Sequence, residues 1–385
     1  VSLPDTHSQP FRIEPVTSRK GRKAFIQFPY DLYRECDVWV PPLRMDVSKL
    51  LNPRKNAFFD HGDMGLFLAY DSDGTIVGRI AAITNGMHLE KYNDATGFFG
   101  FFDVIDDYGV AHSLLDAAAG WLRGKGIAAM RGPTNPSMND VAGLLVDGFD
   151  RQPALLMPYN HPWYEGFLLR YGFERAMTMW AYYVHAKTIN RPKLERGTAL
   201  LRRRYPDISI RTLDRSRFDE EARLIMDIYN DAWSENWGHV PMTEAEFKQL
   251  ASEMKQIIDE RLVVFAEKDG EAIGFAVLLP DLNYAFKTIA GGRLFPTGLL
   301  KLILLASSGV IRETRMPLMG VRKAFQGRAI DTMLVNEVVI NGIGMGYMAA
   351  EMSWVLDNNQ VLKNSLESLG GIRDKEYAMF EASIV

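Results

Sequence analysis

The chain of 385 residues contains a single cysteine, Cys36. An intrachain disulfide is therefore excluded, and so is a disulfide-stapled scaffold. Cys/His metal spacings are missing as well, so a zinc site has no basis in the sequence. No apolar run reaches the ~18 residues of a membrane span. The longest candidate, Leu299 to Val310, is interrupted by Lys301. The opening residues VSLPDTHSQPFRIEP lack the apolar core of a secretory signal. Positive charge is not in excess either: 44 Lys and Arg face 48 Asp and Glu, a formal net charge of −4. A nucleic-acid ligand would call for a basic field, so that class is set aside. Together these absences lead us to expect a protein of the reducing cytoplasm.

What is present is ordinary globular material, 47% hydrophobic and 24% charged, enough for substantial cores. At ~100–200 residues per domain the length suggests two or three domains. FRIEPV reads as a strand and KAFIQFPYDLYREC as a helix, with apolar residues at helical spacing. MGLFLAYD and TIVGRIAAITN flank Asp71-Ser72-Asp73-Gly74, a strand–turn–strand signal. GFFGFFDVID is a strand, VAHSLLDAAAGWLRGKG a helix stopped by Gly126, and IAAMRGP a strand. NHPWYEGFLLRYGF and RAMTMWAYYVHA close this half as helix and strand, and residues 187–197 read as a polar connection. The second half repeats the order, with a hairpin turned at Asp269-Gly270. The expected fold is α/β: two units, residues 1–190 and 200–385, each a mixed, mostly antiparallel sheet flanked by helices.

FQGRAIDTMLV lies between a strand and a helix. It resembles the Q/R-x-x-G-x-G/A motif of the GNAT N-acetyltransferase superfamily, with Gln326 at the first position. Ala329 and Asp331 stand where small glycines are usual. Asn359, eleven residues before Gly370, has the spacing of the next family motif, and Leu366 stands where a tyrosine acid is frequent. YNHPWYEGFLLRYGFE resembles the same helix and Gly-Phe ending in the first half. The segments RGPTNPSMNDVAGLLVDGFD, YNDAWSENWGHVPMTEAEF and GRLFPTGLLKLILL are similar to a bacterial tandem-GNAT family that includes ceramide synthases.

The resemblance implies acyl-CoA as co-substrate, without a tightly bound cofactor, and an amine as acceptor. The cofactor would be held by Val321, Arg322, Gln326, Gly327, Arg328, Ala329 and Asn359. Main-chain N–H groups at the helix start would meet the pyrophosphate, and Arg322, Lys323 and Arg328 would pair with phosphates. In the first half Asp103, Asp106 and Asp107 occupy the corresponding junction and would repel phosphate, so that unit is expected not to bind CoA.

Candidate chemistry follows from residue types. Glu351 in the apolar strand YMAAEMSWV is either a buried general base or a surface-facing strand residue. His239 is a second candidate base. Tyr229, Trp233, Asn236 and Trp237 form an aromatic and polar cluster over the acceptor site, or ordinary helix-end packing. Asn135 and Asn139 would bind a polar head group, or serve turn chemistry. Leu299–Leu305 would line an acyl tunnel, lie on a membrane at the inner face, or form a core helix. The leading expectation is long-chain acyl transfer to a lipid-like, sphingoid-type amine by direct attack. The alternatives are acetyl transfer to a small amine and a non-catalytic acyl-CoA-binding protein. Oligomeric state is not legible.

Overall fold

A computed structural model describes residues 11–385, so the polar stretch before Phe11 lies outside the described residues. The chain forms two compact units. The first is built from the residues up to Thr178 with Gly291–Arg293 and Tyr377–Val385, and the second from Met179–Ala290 and Leu294–Glu376.

The first unit runs β1 (Arg12–Pro15), α1 (Arg19–Leu32), α2 (Arg44–Leu50), β2 (Gly62–Tyr70), β3 (Ile76–Asn85), α3 (Gly86–Tyr92), β4 (Thr96–Val104), α4 (Tyr108–Arg123) and β5 (Ala129–Gly132). β1 to β4 pair antiparallel, and β4 pairs parallel with β5. Both sheet faces are covered. Ile80, Ala82 and Phe99 pack with α4 side chains, whereas Ala81, Ile83 and Phe98 pack with Phe25 of α1. This two-sided burial explains why GFFGFFDV is a continuous apolar run with no polar alternation. Beyond β5 come the short pair β6 (Thr134–Asn135) and β7 (Val141–Ala142), then β8 (Leu144–Asp147) and α5 (Trp163–Tyr171). The free side of β5 is taken by the end of the chain, with Phe380 opposite Gly132 and Ser383 opposite Ala129. Ala378, Phe380, Ala382 and Ile384 enter this unit's core.

The second unit opens within β9 (Glu174–His185). It continues through α6 (Arg191–Arg204), β10 (Ile208–Thr212), α7 (Phe218–Trp233), α8 (Glu244–Met254), β11 (Val263–Lys268) and β12 (Glu271–Pro280). α9 (Asn283–Phe286), α10 (Gly298–Ser307), β13 (Glu313–Val321), α11 (Ile330–Gly344), β14 (Ala349–Leu356), α12 (Gln360–Ser368) and β15 (Ile372–Ser383) follow. The order β10-β11-β12-β13-β14-β9 is antiparallel except for the β13/β14 pair. Asp269 and Gly270 both have positive φ, as the expected tight hairpin requires. Tyr182 and Val184 of β9 join a core shared with Leu334 and Val338 of α11.

One expectation needs correction. The polar connection at 187–197 is partly the start of α6: the Asn190 side chain accepts from the Lys193 N–H, and Pro192 sits in the first turn. Proline suits that position because its missing N–H has no partner there anyway. The helix is mostly exposed, burying Leu194 and Thr198, so its sequence looks like a linker. Among the described residues no helix is long and apolar enough to cross a membrane.

Candidate active site

β13 and β14 share a parallel ladder from Glu313/Ala349 to Met316/Met352. Pro317 comes next and has no N–H to continue it. Past this point β13 stays with β12, ending at Val321 opposite Gly274, while β14 stays with β9 after a register shift at Ser353 and Trp354. The second unit's sheet therefore forks.

Five polar residues meet at the base of the fork, all buried: Arg315, Glu351, Ser353, Asp374 and Lys375. Parallel register puts Arg315 opposite Glu351. The Ser353 hydroxyl donates to Glu351 Oε1 at 2.8 Å, and Lys375 Nζ donates to Glu351 Oε2 at 3.0 Å and to Asp374 at 2.6 Å. Arg315 Nε donates to the Ser353 hydroxyl at 3.0 Å, and an η nitrogen donates to the Ser353 carbonyl at 3.1 Å. Burial alone would lower the Lys375 pKa; Glu351 and then Asp374 outweigh it and hold the ammonium above its ordinary value. Two cations balance two anions, the condition under which charges survive without water. Glu351 is 4% exposed, so the surface-facing reading is overturned. The strand is covered on both faces, and alternation along it does not reach solvent.

The loop after β13 gathers the residues of the Gln326 motif. Gln326 Nε2 donates to the Val321 carbonyl at 3.0 Å, and Arg322 Nε donates to the Ala272 carbonyl at 3.0 Å. The Lys323 N–H donates to Asp231 at 2.8 Å. Arg328 lies 5.1 Å from the Phe325 ring centre. Gly327 (φ 73°) and Ala329 (φ 57°) are left-handed, a strained conformation for alanine. No side chain caps α11, whose N-cap is Ala329. An uncapped helix start presents N–H groups suited to an anion. Asp331 in the first turn has its pKa raised by burial, against the pull of the Thr332 and its own N–H. Asn359 caps α12, its side chain accepting from the Leu362 N–H at 3.1 Å.

Aromatic residues of α7 and the loop after it come together in the structure. The rings of Tyr229 and Trp233 are 5.0 Å apart, and Tyr229 and His239 5.4 Å. Trp233 Nε1 donates to the Met319 carbonyl at 3.1 Å, tying the cluster to β13 beyond the fork. Asn236 turns the chain, its N–H donating to the Trp233 carbonyl, and Trp237 follows, half-buried. His239 is buried, and burial raises the Tyr229 hydroxyl above the usual tyrosine range. The cluster thus meets β13 at Met319 and the charged network meets it at Arg315.

Asn135 and Asn139 belong to the first unit. Asn135 Oδ1 accepts from the Phe101 N–H at 2.6 Å, and the Asn139 N–H donates to the Ser137 hydroxyl at 3.1 Å. In the same unit Asp103 is paired with Arg79 at 2.7 Å, and Asp107 caps α4 by accepting from the Gly109 and Val110 N–H groups.

Sequence reasoning missed Arg315, Ser353, Asp374 and Lys375. The available signal was Arg315 ahead of the apolar run MPLMGV and the charged run Arg373-Asp374-Lys375-Glu376 opening the strand IRDKEYAMFEAS, charges that call for partners once their strands are buried.

No family profile matches the chain. Two proteins match it over nearly the full length. The bacterial ceramide synthase of Caulobacter vibrioides is 37% identical over 387 residues, 99% of each chain. Protein YghO of Escherichia coli K12 is 34% identical over 372 residues, 95% of this chain and 94% of its own. Among solved structures, a tandem GNAT protein from the clavulanic acid biosynthesis pathway superposes with a TM-score of 0.56 at 12% identity, over 98% of this chain and 99% of that one. A GCN5-related glucosamine N-acetyltransferase region of a fungal GH3 β-N-acetylglucosaminidase gives 0.60 at 16% identity, over 99% of this chain and 40% of that one. At such identities these two structures speak for the fold alone. The full-length likeness to the ceramide synthase carries the family, and the chain belongs to the family of that bacterial ceramide synthase.

Proposed function

We propose that the second unit takes a long-chain acyl group from acyl-CoA and transfers it to a lipid-like, sphingoid-type amine. The observation that carries this reading is the buried Glu351–Ser353–Arg315–Lys375 network at the fork of β13 and β14. The uncapped start of α11 supports placing the CoA phosphates at residues 326–331. A main-chain N–H of β13 toward Val321 would polarise the thioester carbonyl.

A free alkylamine has a pKa near ~10, so it must shed a proton before it attacks. Both Glu351 oxygens are engaged, and the hydroxyl of Ser353 stands between Glu351 and Arg315. In this reading the ammonium first releases one proton to water, and as the resulting amine attacks, its nitrogen gives a second proton to Ser353, which passes its own to Glu351. The nitrogen bonds to the acyl carbon, the carbon–sulfur bond breaks, and the proton returns to the leaving thiolate. Tyr229, Trp233, Asn236, Trp237 and His239 would form the wall along β13 that faces the acceptor. The first unit, with Asn135 and Asn139, would leave CoA to the second. The named activity of the C. vibrioides relative favours the lipid amine, and each buried methylene adds about 0.8 kcal/mol in favour of a long chain.

The test is calorimetric titration with palmitoyl-CoA, acetyl-CoA and free CoA, beside turnover with a sphingoid amine. Palmitoyl-CoA is expected to bind most tightly. Glu351→Gln should keep that affinity and lower kcat by about a hundredfold. Equal binding of all three would favour acetyl transfer to a small amine, and binding of none would sink the proposal.

A further inference from the structure

From Leu282 to Arg312 the chain has no aspartate or glutamate, although 48 of its 385 residues are acidic. The stretch does carry Lys287, Arg293, Lys301 and Arg312, all exposed. None of these four forms an ion pair among the described residues. At its centre lies α10, of whose residues only Gly298 is buried. Leu300 is 61% exposed, Ile303 56% and Leu304 57%, with Phe295 ahead of the helix at 68%. Leu299 and Ile303, and Leu300 and Leu304, are spaced i and i+4, so they form two adjacent rows on one helix face. Lys301 sits at the border of that face. The core-helix reading of Leu299–Leu305 is therefore overturned: the helix forms, but its apolar side faces outward.

An apolar face of this kind is unfavourable in water and marks a contact. Charge decides what it meets. A second copy of the chain on the same face would bring like-charged Lys301 residues together, and nothing would require the stretch to lack carboxylates. An anionic bilayer rewards both features, since leucines enter the acyl boundary while cations meet phosphates. Arg293, five residues before α10, shows how available those cations are. With Lys23 and Arg44 it lines a cavity of ≈520 Å³ in the first unit. Arg44 is held there by the face of Tyr30 at 3.7 Å and by the Gly291 carbonyl at 2.6 Å. None of the three is ion-paired among the described residues, and the nearby Asp31 is engaged by Arg34.

We propose that α10 and its flanking cations dock the protein on an anionic phospholipid surface. The inference goes beyond the acyl-transfer reading and does not depend on it, so its test needs no turnover. The full chain is mixed with vesicles of phosphatidylcholine, with or without phosphatidylglycerol, and sedimented. Sedimentation is expected with phosphatidylglycerol alone and should weaken as salt rises. Leu300→Glu with Ile303→Glu should weaken it about tenfold or more while leaving the melting temperature unchanged. In the wild-type chain, amide exchange over Gly298–Ser307 should slow when anionic vesicles are added, a readout that no variant can confound. The proposal is overturned if the wild type ignores anionic vesicles or if the double variant binds them equally well. It is also overturned if the face is found to hold a dimer that the double variant dissolves, with no vesicle binding.

Discussion

In the first unit β4 and β5 pair from Thr96/Ala129 to Phe98/Arg131 and then part; in the second, β13 and β14 pair from Glu313/Ala349 to Met316/Met352 and then part. The gap in the first unit is closed by its own chain. A Cβ on Gly100 would stand 1.6 Å from the Thr134 carbonyl oxygen, and Asn135 takes the N–H of Phe101, whose φ is 46°. The start of α4 is closed too, since Asp107 accepts its N–H groups. In the second unit no side chain caps the start of α11, and the gap has an ionic network at its base. The same scaffold can thus be finished in two ways. One satisfies its hydrogen-bond donors internally and gains rigidity; the other leaves its helix start without a side-chain cap and gives up local stability.

Five changes would break or sharpen this contrast. The largest effect is expected from Lys375→Met, which strands Glu351 and Asp374 in the interior. The loss should be about 3–5 kcal/mol in chemical denaturation. Its pH dependence has a definite sign. The folded Lys375 value lies above the ordinary 10.5, so the stabilisation is complete below pH 10.5 and is lost as pH rises through the folded value. The variant should lack that alkaline decline.

Gly100→Ala comes next, at about 2–3 kcal/mol, because the carbonyl it meets belongs to the backbone. Gly320→Ala on β13 is its counterpart and should cost much less, since its nearest neighbour is a Phe275 ring atom at 3.1 Å. Equal melting temperatures for the two variants would show that the first gap is not truly filled. Asn135→Ala removes the acceptor from the Phe101 N–H and should cost about 1–2 kcal/mol while leaving acyl-CoA affinity unchanged. A shift in that affinity, measured by calorimetry, would argue that the first unit does engage the donor.

Asp331→Asn is the mildest. Burial raises the Asp331 pKa, so its ionised form weighs against the fold at neutral pH. The variant should melt higher, and its advantage should shrink as pH falls through the folded value toward the ordinary 3.8. If the proposed phosphate site at residues 326–331 holds CoA, removing a negative charge beside it should also tighten CoA binding by about fivefold.

The legibility of the sequence followed the range of the interactions. The hairpin at Asp269-Gly270 and the loop from Gln326 to Asp331 were legible because a few consecutive residues decide them. The network at the fork was not, apart from Glu351. Ser353 and Arg315 are separated by 38 residues and Glu351 and Lys375 by 24, and only sheet register brings them together. Asn359 matched a motif by spacing, yet its side chain serves as a helix cap. For Leu299–Leu305 the helix could be read from periodicity, but which way it faces could not, because exposure depends on what else the chain places nearby.

The pairing of β5 with Phe380–Ser383 has a consequence during synthesis. Gly132 leaves the ribosome long before Tyr377, and at ~5–20 residues per second the wait is on the order of ten seconds or more. For that time one edge of the earliest-made sheet is open, and its core lacks Ala378, Phe380, Ala382 and Ile384. The unit begun first is therefore completed last. A nascent chain halted before Tyr377 would present an unpaired strand edge to its neighbours, which is a template for aggregation and a ready target for chaperones.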